Sequence, residues 1–262
     1  MTPRVRQALV LVAAVATIWA TTSLGLWQLR RADDKLARQA ALAERASLPA
    51  LGNAELACTG VASPGQANRK AVLIGHWLPE HTWLLDNRAM GGRAGFYVVT
   101  ALQLEGAGPC ASQVLMVQRG WVPRNAQNRM QVPPFITPRG TVRLQGRLVP
   151  EVSRAYSLGA DLASPPSGVF RIVQNIDMAG LSAQMGRAVR PVAVLQLTPE
   201  TGQAGHALSN PAEFSLLRDW PAPASDVGKH HAYAAQWFAM AALTTGLYVW
   251  FQFVSPRRRR SS

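Results

Sequence analysis

The chain has 262 residues, is 48% hydrophobic and carries a formal net charge of +13, with 27 basic residues against 14 acidic. Only Lys35, Lys70 and Lys229 among the basic residues are lysine, and outside the one dense run, Arg257 to Arg260, the basic residues are spread, as at Arg69, Arg93, Arg129, Arg143 and Arg171. A nucleic-acid binder gathers its charge on one face or in one segment, so that class is set aside, and the length holds one folded domain or two small ones.

The first element is an uncharged stretch from Gln7 to Leu29, preceded by Arg4 and Arg6. A hydrocarbon core about 30 Å thick needs roughly 20 helical residues to span it, so residues 7–29 are expected to form a first transmembrane helix. A cleaved signal peptide has a shorter apolar region and a small-residue cleavage site. Trp19, Leu24, Leu26 and Trp27 crowd the far end of this one, which reads as an uncleaved anchor. From Trp27 to Ala46 the composition favours helix strongly. Pro49 stops it, so the anchor continues as helix beyond the membrane.

Residues 30–231 form the domain between the anchors. Short β-rich runs occupy Glu55 to Ala62, Ala71 to His76, Thr82 to Asn87, Phe96 to Leu104, Gln113 to Arg119, Thr141 to Leu148, Val169 to Ile176 and Pro191 to Leu197. Gly and Pro clusters separate them, the pattern of an antiparallel sandwich or barrel. Cys58 and Cys110 are the only cysteines, and no CxxC is present. That removes a thioredoxin-like pair, a cysteine-based zinc site and covalent haem. A disulfide and two separate buried thiols both fit.

His76, Glu80 and His81 match no metal-ligand spacing, and Pro79 makes a turn into the next strand the better reading. Gly91-Gly92-Arg93-Ala94-Gly95 lacks the Gly-Lys-Ser/Thr ending of a phosphate loop and reads as a hairpin connection. Asp177 to Arg187 suits a short helix with Asp near its start. Pro199 to Asp226 carries four prolines and reads as an irregular return to the membrane.

The second uncharged stretch, Ala232 to Val254, forms the second transmembrane helix, and residues 255–262 a basic cytoplasmic tail containing Arg257 to Arg260. Arg4, Arg6 and this tail place both termini in the cytoplasm and the central domain across the membrane. Lys229-His230-His231 stands at the mouth of the second helix. Adjacent helical residues point about 100° apart, so one site takes only one of the two imidazoles. His230 lines up with Tyr233 and Trp237 at i+3 and i+7. On the residues alone this face is either an aromatic belt at the headgroups or a seat for haem with imidazole on the iron.

Four segments in register resemble the surfeit locus protein 1 family, membrane-anchored assembly factors of cytochrome c oxidase. The first is Leu24-Gly25-Leu26-Trp27-Gln28-Leu29-Arg30-Arg31 with Lys35. The second runs from Gly75-His76-Trp77 through Asn87-Arg88 to Gly95-Phe96-Tyr97-Val98-Val99-Thr100. The third is Val117-Gln118-Arg119-Gly120-Trp121-Val122-Pro123, and the fourth Lys229-His230 with Tyr233-Ala234 and Gln236-Trp237-Phe238. Ala101 and His231 depart from the family's usual Pro and Leu.

The resemblance implies a non-enzymatic role: binding haem a through His230 and helping it enter oxidase subunit I. The alternative is a protein-only scaffold for subunit I. Tyr233 and Trp237 would flank the haem, with Trp27, Gln28 and Arg31 closing the site from the first helix. Arg88 and Arg119 are candidate contacts to subunit I or to a haem a synthase, or else structural. Gly120 and Trp121 belong to the same partner or structural motif, with the Trp121 turn read as core rather than contact. With six residues before the first apolar stretch and no mitochondrial presequence, a bacterial plasma membrane is the expected location.

Overall fold

The computed structural model describes residues 2–58, 65–106, 110, 113–128, 131–156, 170–202, 215–221 and 227–255. It divides into two compact units, residues 1–42 with 222–262, and residues 43–221.

The first unit is built on two helices. Helix α1 runs Pro3–Ser47 without a break, ending two residues before Pro49, as a proline that bars helix requires. Helix α3 runs Val227–Val249 and continues as one π-helical segment, Trp250–Val254. It therefore starts five residues before the apolar stretch does. Both are long and apolar enough to cross a membrane. Leu9, Val12, Val15 and Trp19 of α1, with Leu243, Leu247 and Phe251 after α3's midpoint, stay exposed, as side chains that face lipid do. The basic tail after Ser255 lies outside the described residues.

The second unit is a sheet of seven described strands, β1 Lys70–Met90, β2 Arg93–Leu104, β3 Val114–Pro123, β4 Thr141–Val149, β5 Arg171–Val173, β6 Val189–Gln196 and β7 Thr201–Gly202. Five of them close a ring, β1-β2-β3-β6-β4 and back to β1. Most pairs are antiparallel; β3 with β6 and β1 with β5 are parallel. Of the sandwich and the barrel, the pairing selects the barrel, and closure removes the free edges that an open sheet would expose. β5 and β7 add to its outside pairs.

Leu73, Trp77, Leu102, Leu115, Leu144 and Val194, one cluster drawn from all five ring strands, fill the ring's interior. Leu51 and Leu56, from the segment after α1, join that cluster and plug it. A second cluster on the other strand face holds Trp83, Leu85, Tyr97, Val99, Met116 and Trp121 beneath helix α2, Leu181–Met185.

Several expected elements take a different form. The run from Glu55 begins as a 3-10 turn, Asn53–Glu55, not a strand, and residues 59–62 lie outside the described set. The two expected strands Ala71–His76 and Thr82–Asn87 are one strand. Leu78 pairs with Ala101 and Thr82 with Thr100, so Pro79, Glu80 and His81 bulge out of a continuous β1 instead of turning it. A bulge accommodates the proline's missing N–H without ending the ladder. The helix at 177–187 shrinks to five residues, stopped by Gly186 in the left-handed region at φ 61. β5 keeps only Arg171–Val173 of its expected span, and Val169 is not among the described residues. β7 falls where irregular chain was expected.

The glycine hairpin forms as expected. Met90 pairs with Arg93 across Gly91 and Gly92, at φ 56 and 75, the positive values that a tight two-residue loop needs at both positions. Cys58 and Cys110 form a disulfide. Arg190 reinforces it, its guanidinium donating to the Leu56 carbonyl at 2.8 Å and the Cys110 carbonyl at 3.2 Å.

Candidate functional site

In the first unit, α1 buries or half-buries Ala14, Ile18, Thr21, Gly25, Gln28, Ala32 and Lys35. These steps of four and three trace one seam along a helix. On α3 the matching positions are His230, Ala234, Trp237, Phe238, Ala241 and Thr244. At one point on the seam the Phe238 ring lies against Gly25, where a Cβ would stand 2.7 Å from the ring, the close contact that a small residue allows between membrane helices.

His230 sits on this seam, half-buried, with Nδ1 2.7 Å from Gln28 Oε1. Among the described residues its Nε2 makes no hydrogen bond, and it is not among the buried unpartnered atoms, so it is accessible. His231, one residue on, is turned off the seam and exposed. Trp237 is half-buried beside the seam, whereas Tyr233 is 52% exposed on its flank. The structure thus brings Gln28 and His230 together; Trp237 follows about two turns on along the same helix, and Tyr233 lies exposed between them. Trp27 and Arg31 occupy the next stripe of α1. Both are exposed, and the Arg31 guanidinium lies 5.8 Å from the centre of the Trp27 indole ring.

The remaining candidates lie in the second unit, and all are internal. Arg88, expected as a docking contact or a structural residue, is 5% exposed. Its guanidinium donates to the carbonyls of Asp86, Ser153 and Gln174 and to Asn175 Oδ1. Arg119, the other candidate contact, is 1% exposed. The terminal nitrogens of both guanidiniums donate to internal acceptors, so in this fold both side chains are buried supports of the second unit. Gly120 and Trp121 lie in the core; a Cβ on Gly120 would meet Leu216 at 2.6 Å.

What the sequence could not show about Arg119 is a bulge. Val98 pairs with Gly120 and Val99 with Gln118, which leaves Arg119 as the extra residue on β3. Such an insertion re-aims a side chain. Arg119 thereby reaches Thr137 Oγ1 at 2.7 Å, the Ile136 carbonyl at 2.8 Å and Glu200 Oε1 at 2.6 Å, with its charge 4.6 Å from the centre of the Trp77 ring. Arg218 holds the second Glu200 oxygen at 3.1 Å, and Gln196 donates to it at 2.7 Å.

Burial alone would push the Glu200 carboxyl up; the Arg119 charge and the hydrogen bonds from its own backbone, Gln196 and Arg119 outweigh this and hold it below its ordinary value. A carboxyl whose folded value is depressed contributes stability above its unfolded value, lost as pH falls through the folded one. Melting of the full chain in detergent should therefore lose temperature as pH drops through and below the ordinary glutamate value of about 4.3. Glu200→Gln should be less stable at pH 7 and show a shallower acid slope. Equal slopes for the two proteins would refute this.

Among the described residues no three His, Cys, Asp or Glu side chains gather to hold a metal ion. His76 instead pairs with Glu105 at 2.9 Å, and the His81 ring stacks on Trp83 with centroids 6.0 Å apart.

No curated protein matches the chain. Residues 15–242 match the SURF1 family, a span that takes in most of both helices and all of the barrel.

Proposed function

The chain belongs to the SURF1 family, whose members are cytochrome oxidase assembly factors rather than enzymes, and we propose that it holds haem a on the second apolar helix for delivery to oxidase subunit I. The observation that carries this is the seam itself: one imidazole, fixed through Nδ1 by Gln28, with Nε2 carrying no other hydrogen bond.

The donor set fits the group. Haem iron accepts a neutral imidazole nitrogen as an axial ligand, and a histidine ligand is normally steadied through its other ring nitrogen. Trp237 and Tyr233 supply aromatic surface on the same helix. Arg30 and Arg31 follow Gln28 by two and three residues, giving positive charge suited to haem's carboxylates. His231 is turned away, so His230 acts alone. A single protein ligand suits a carrier, which must give up its cargo.

The disulfide supports placing the barrel unit on the oxidising side of the membrane, since such bonds persist there and not in the cytosol. Arg4 and Arg6 before the first helix support cytoplasmic termini. Subunit I and a haem a synthase are the corresponding partners.

The test is co-expression of the full chain with a haem a synthase and purification in detergent. The wild-type protein should retain haem a near one per chain, and His230→Ala should lose it at least tenfold, the order of effect that removing support from a metal ligand produces. A spectrum unchanged in His230→Ala would defeat the assignment. Co-purification of subunit I without haem would favour a protein-only scaffold.

A further inference from the structure

We propose that Gln28 sets the tautomer of His230, holding its proton on Nδ1 and leaving Nε2 bare as a lone-pair donor. For the identity of the cargo this rests on the haem-carrier reading; the tautomer itself does not.

For a neutral imidazole the contact has one chemical solution. The atom of Gln28 at 2.7 Å from Nδ1 is Oε1, a carbonyl oxygen, which accepts and cannot donate. The imidazole must then donate from Nδ1. A neutral imidazole has a single N–H, so Nε2 keeps its lone pair. Free imidazole side chains in water prefer the opposite arrangement, with the proton on Nε2. The protein therefore selects the less common form.

The seam makes that selection firm. Gln28 lies one helical turn from Gly25, where the Phe238 ring closes on α1, and one turn from fully buried Ala32. Ala234, one turn from His230, is 2% exposed. These packed neighbours limit the freedom of both side chains, and a hydrogen bond partly withdrawn from water is stronger than a fully exposed one. His231 is exposed, and no hydrogen bond to it occurs among the described residues, which makes it an internal reference in the same spectrum.

The tautomer can be read without haem. The full chain, labelled with 15N-histidine and expressed without a haem a synthase, is placed in phospholipid nanodiscs at about pH 8.5, well above the ordinary imidazole value of about 6.5. Two-bond 1H–15N correlations separate the two neutral forms, and His230→Ala assigns the signal.

His230 should show the Nδ1–H pattern while His231 shows Nε2–H. Gln28→Leu, close in volume and equally helix-favouring, should return His230 to Nε2–H. Gln28→Glu, which keeps only acceptors, should retain Nδ1–H. A wild-type His230 already in the Nε2–H form, or an unchanged pattern in Gln28→Leu, overturns the proposal.

Co-expression with a haem a synthase adds a second readout. Gln28→Leu should retain at least tenfold less haem a at equal protein yield, within the 10–100-fold range typical of losing such a support, and Gln28→Glu should retain it. The two readings fail separately. A Gln28-dependent tautomer with haem unaffected by His230→Ala sinks the ligand assignment alone. Haem that depends on His230, with a tautomer indifferent to Gln28, sinks the lock alone.

Discussion

Arg119→Ala should lower the unfolding free energy by about 3–5 kcal/mol, the cost of breaking a buried ion pair by removing one partner. For a chain of this size that corresponds to a fall of about 6–20 °C in melting temperature. The loss is compound. Glu200, 7% exposed, would keep Arg218 but lose its 2.6 Å partner. The Ile136 carbonyl and the Thr137 hydroxyl would lose their donor, releasing an irregular segment from β3. The Trp77 ring would lose the cation resting on it.

Arg119→Lys separates charge from geometry. A lysine keeps the charge but cannot fork to three acceptors from one plane, so it should recover only part of the loss. Thermal unfolding of the full chain in detergent measures both variants. Equal stability of Arg119→Ala and wild type would mean that the cluster adds nothing to the fold.

The second large effect is expected at the other residue of the same motif. Trp121→Ala should cost about 3–5 kcal/mol through lost apolar contact and the cavity left behind. Trp121 is fully buried, and its indole N–H donates to the Arg88 carbonyl at 2.9 Å. That carbonyl lies just after a bulge in β1, where Asn87 takes φ 57. Beneath the ring is Gly95, where a Cβ would stand 2.4 Å from the indole. The backbone of Trp121 also exchanges hydrogen bonds with Leu217 at 2.8 and 3.0 Å.

Trp121→Phe should fall between wild type and alanine, since it fills most of the volume but removes the indole donor to the Arg88 carbonyl. Denaturant midpoints with an unchanged slope would report this as a stability effect. A Trp121→Ala midpoint within error of wild type would contradict it.

The sequence reads the Trp121 turn as core, and it is core, whereas it leaves Arg119 between contact and structural support. Trp121 packs on Gly95 and bonds the Arg88 carbonyl, while Arg119 serves a separate cluster with Glu200 and Trp77. Arginine in a basic chain suggests an outward contact. Here the single inserted residue on β3 turns Arg119 toward Glu200 and Trp77. A one-residue change in register moves a side chain to the opposite face of a strand, and nothing local in the sequence announces it.

Local chemistry was enough for much of the rest. Uninterrupted apolar length dictated two helices, Pro49 dictated where the first ends, and paired glycines dictated the β1–β2 hairpin. Alternating β-branched runs between Gly and Pro clusters marked most of the strands. Each of these depends on interactions within a few residues, which composition and periodicity carry directly.

Only the tertiary structure decided which distant groups meet. β4 returns to β1 and closes the barrel, Cys58 joins Cys110 across 52 residues, and Gln28 finds His230 across 202. The resemblance put Gln28 at the His230 site, but which atoms touch depends on how α1 and α3 pack. The Phe238 ring lies against Gly25, where a Cβ would stand 2.7 Å from it. Gln28, about one turn along α1 from that contact, and His230, about two turns along α3 from it, come within hydrogen-bond reach.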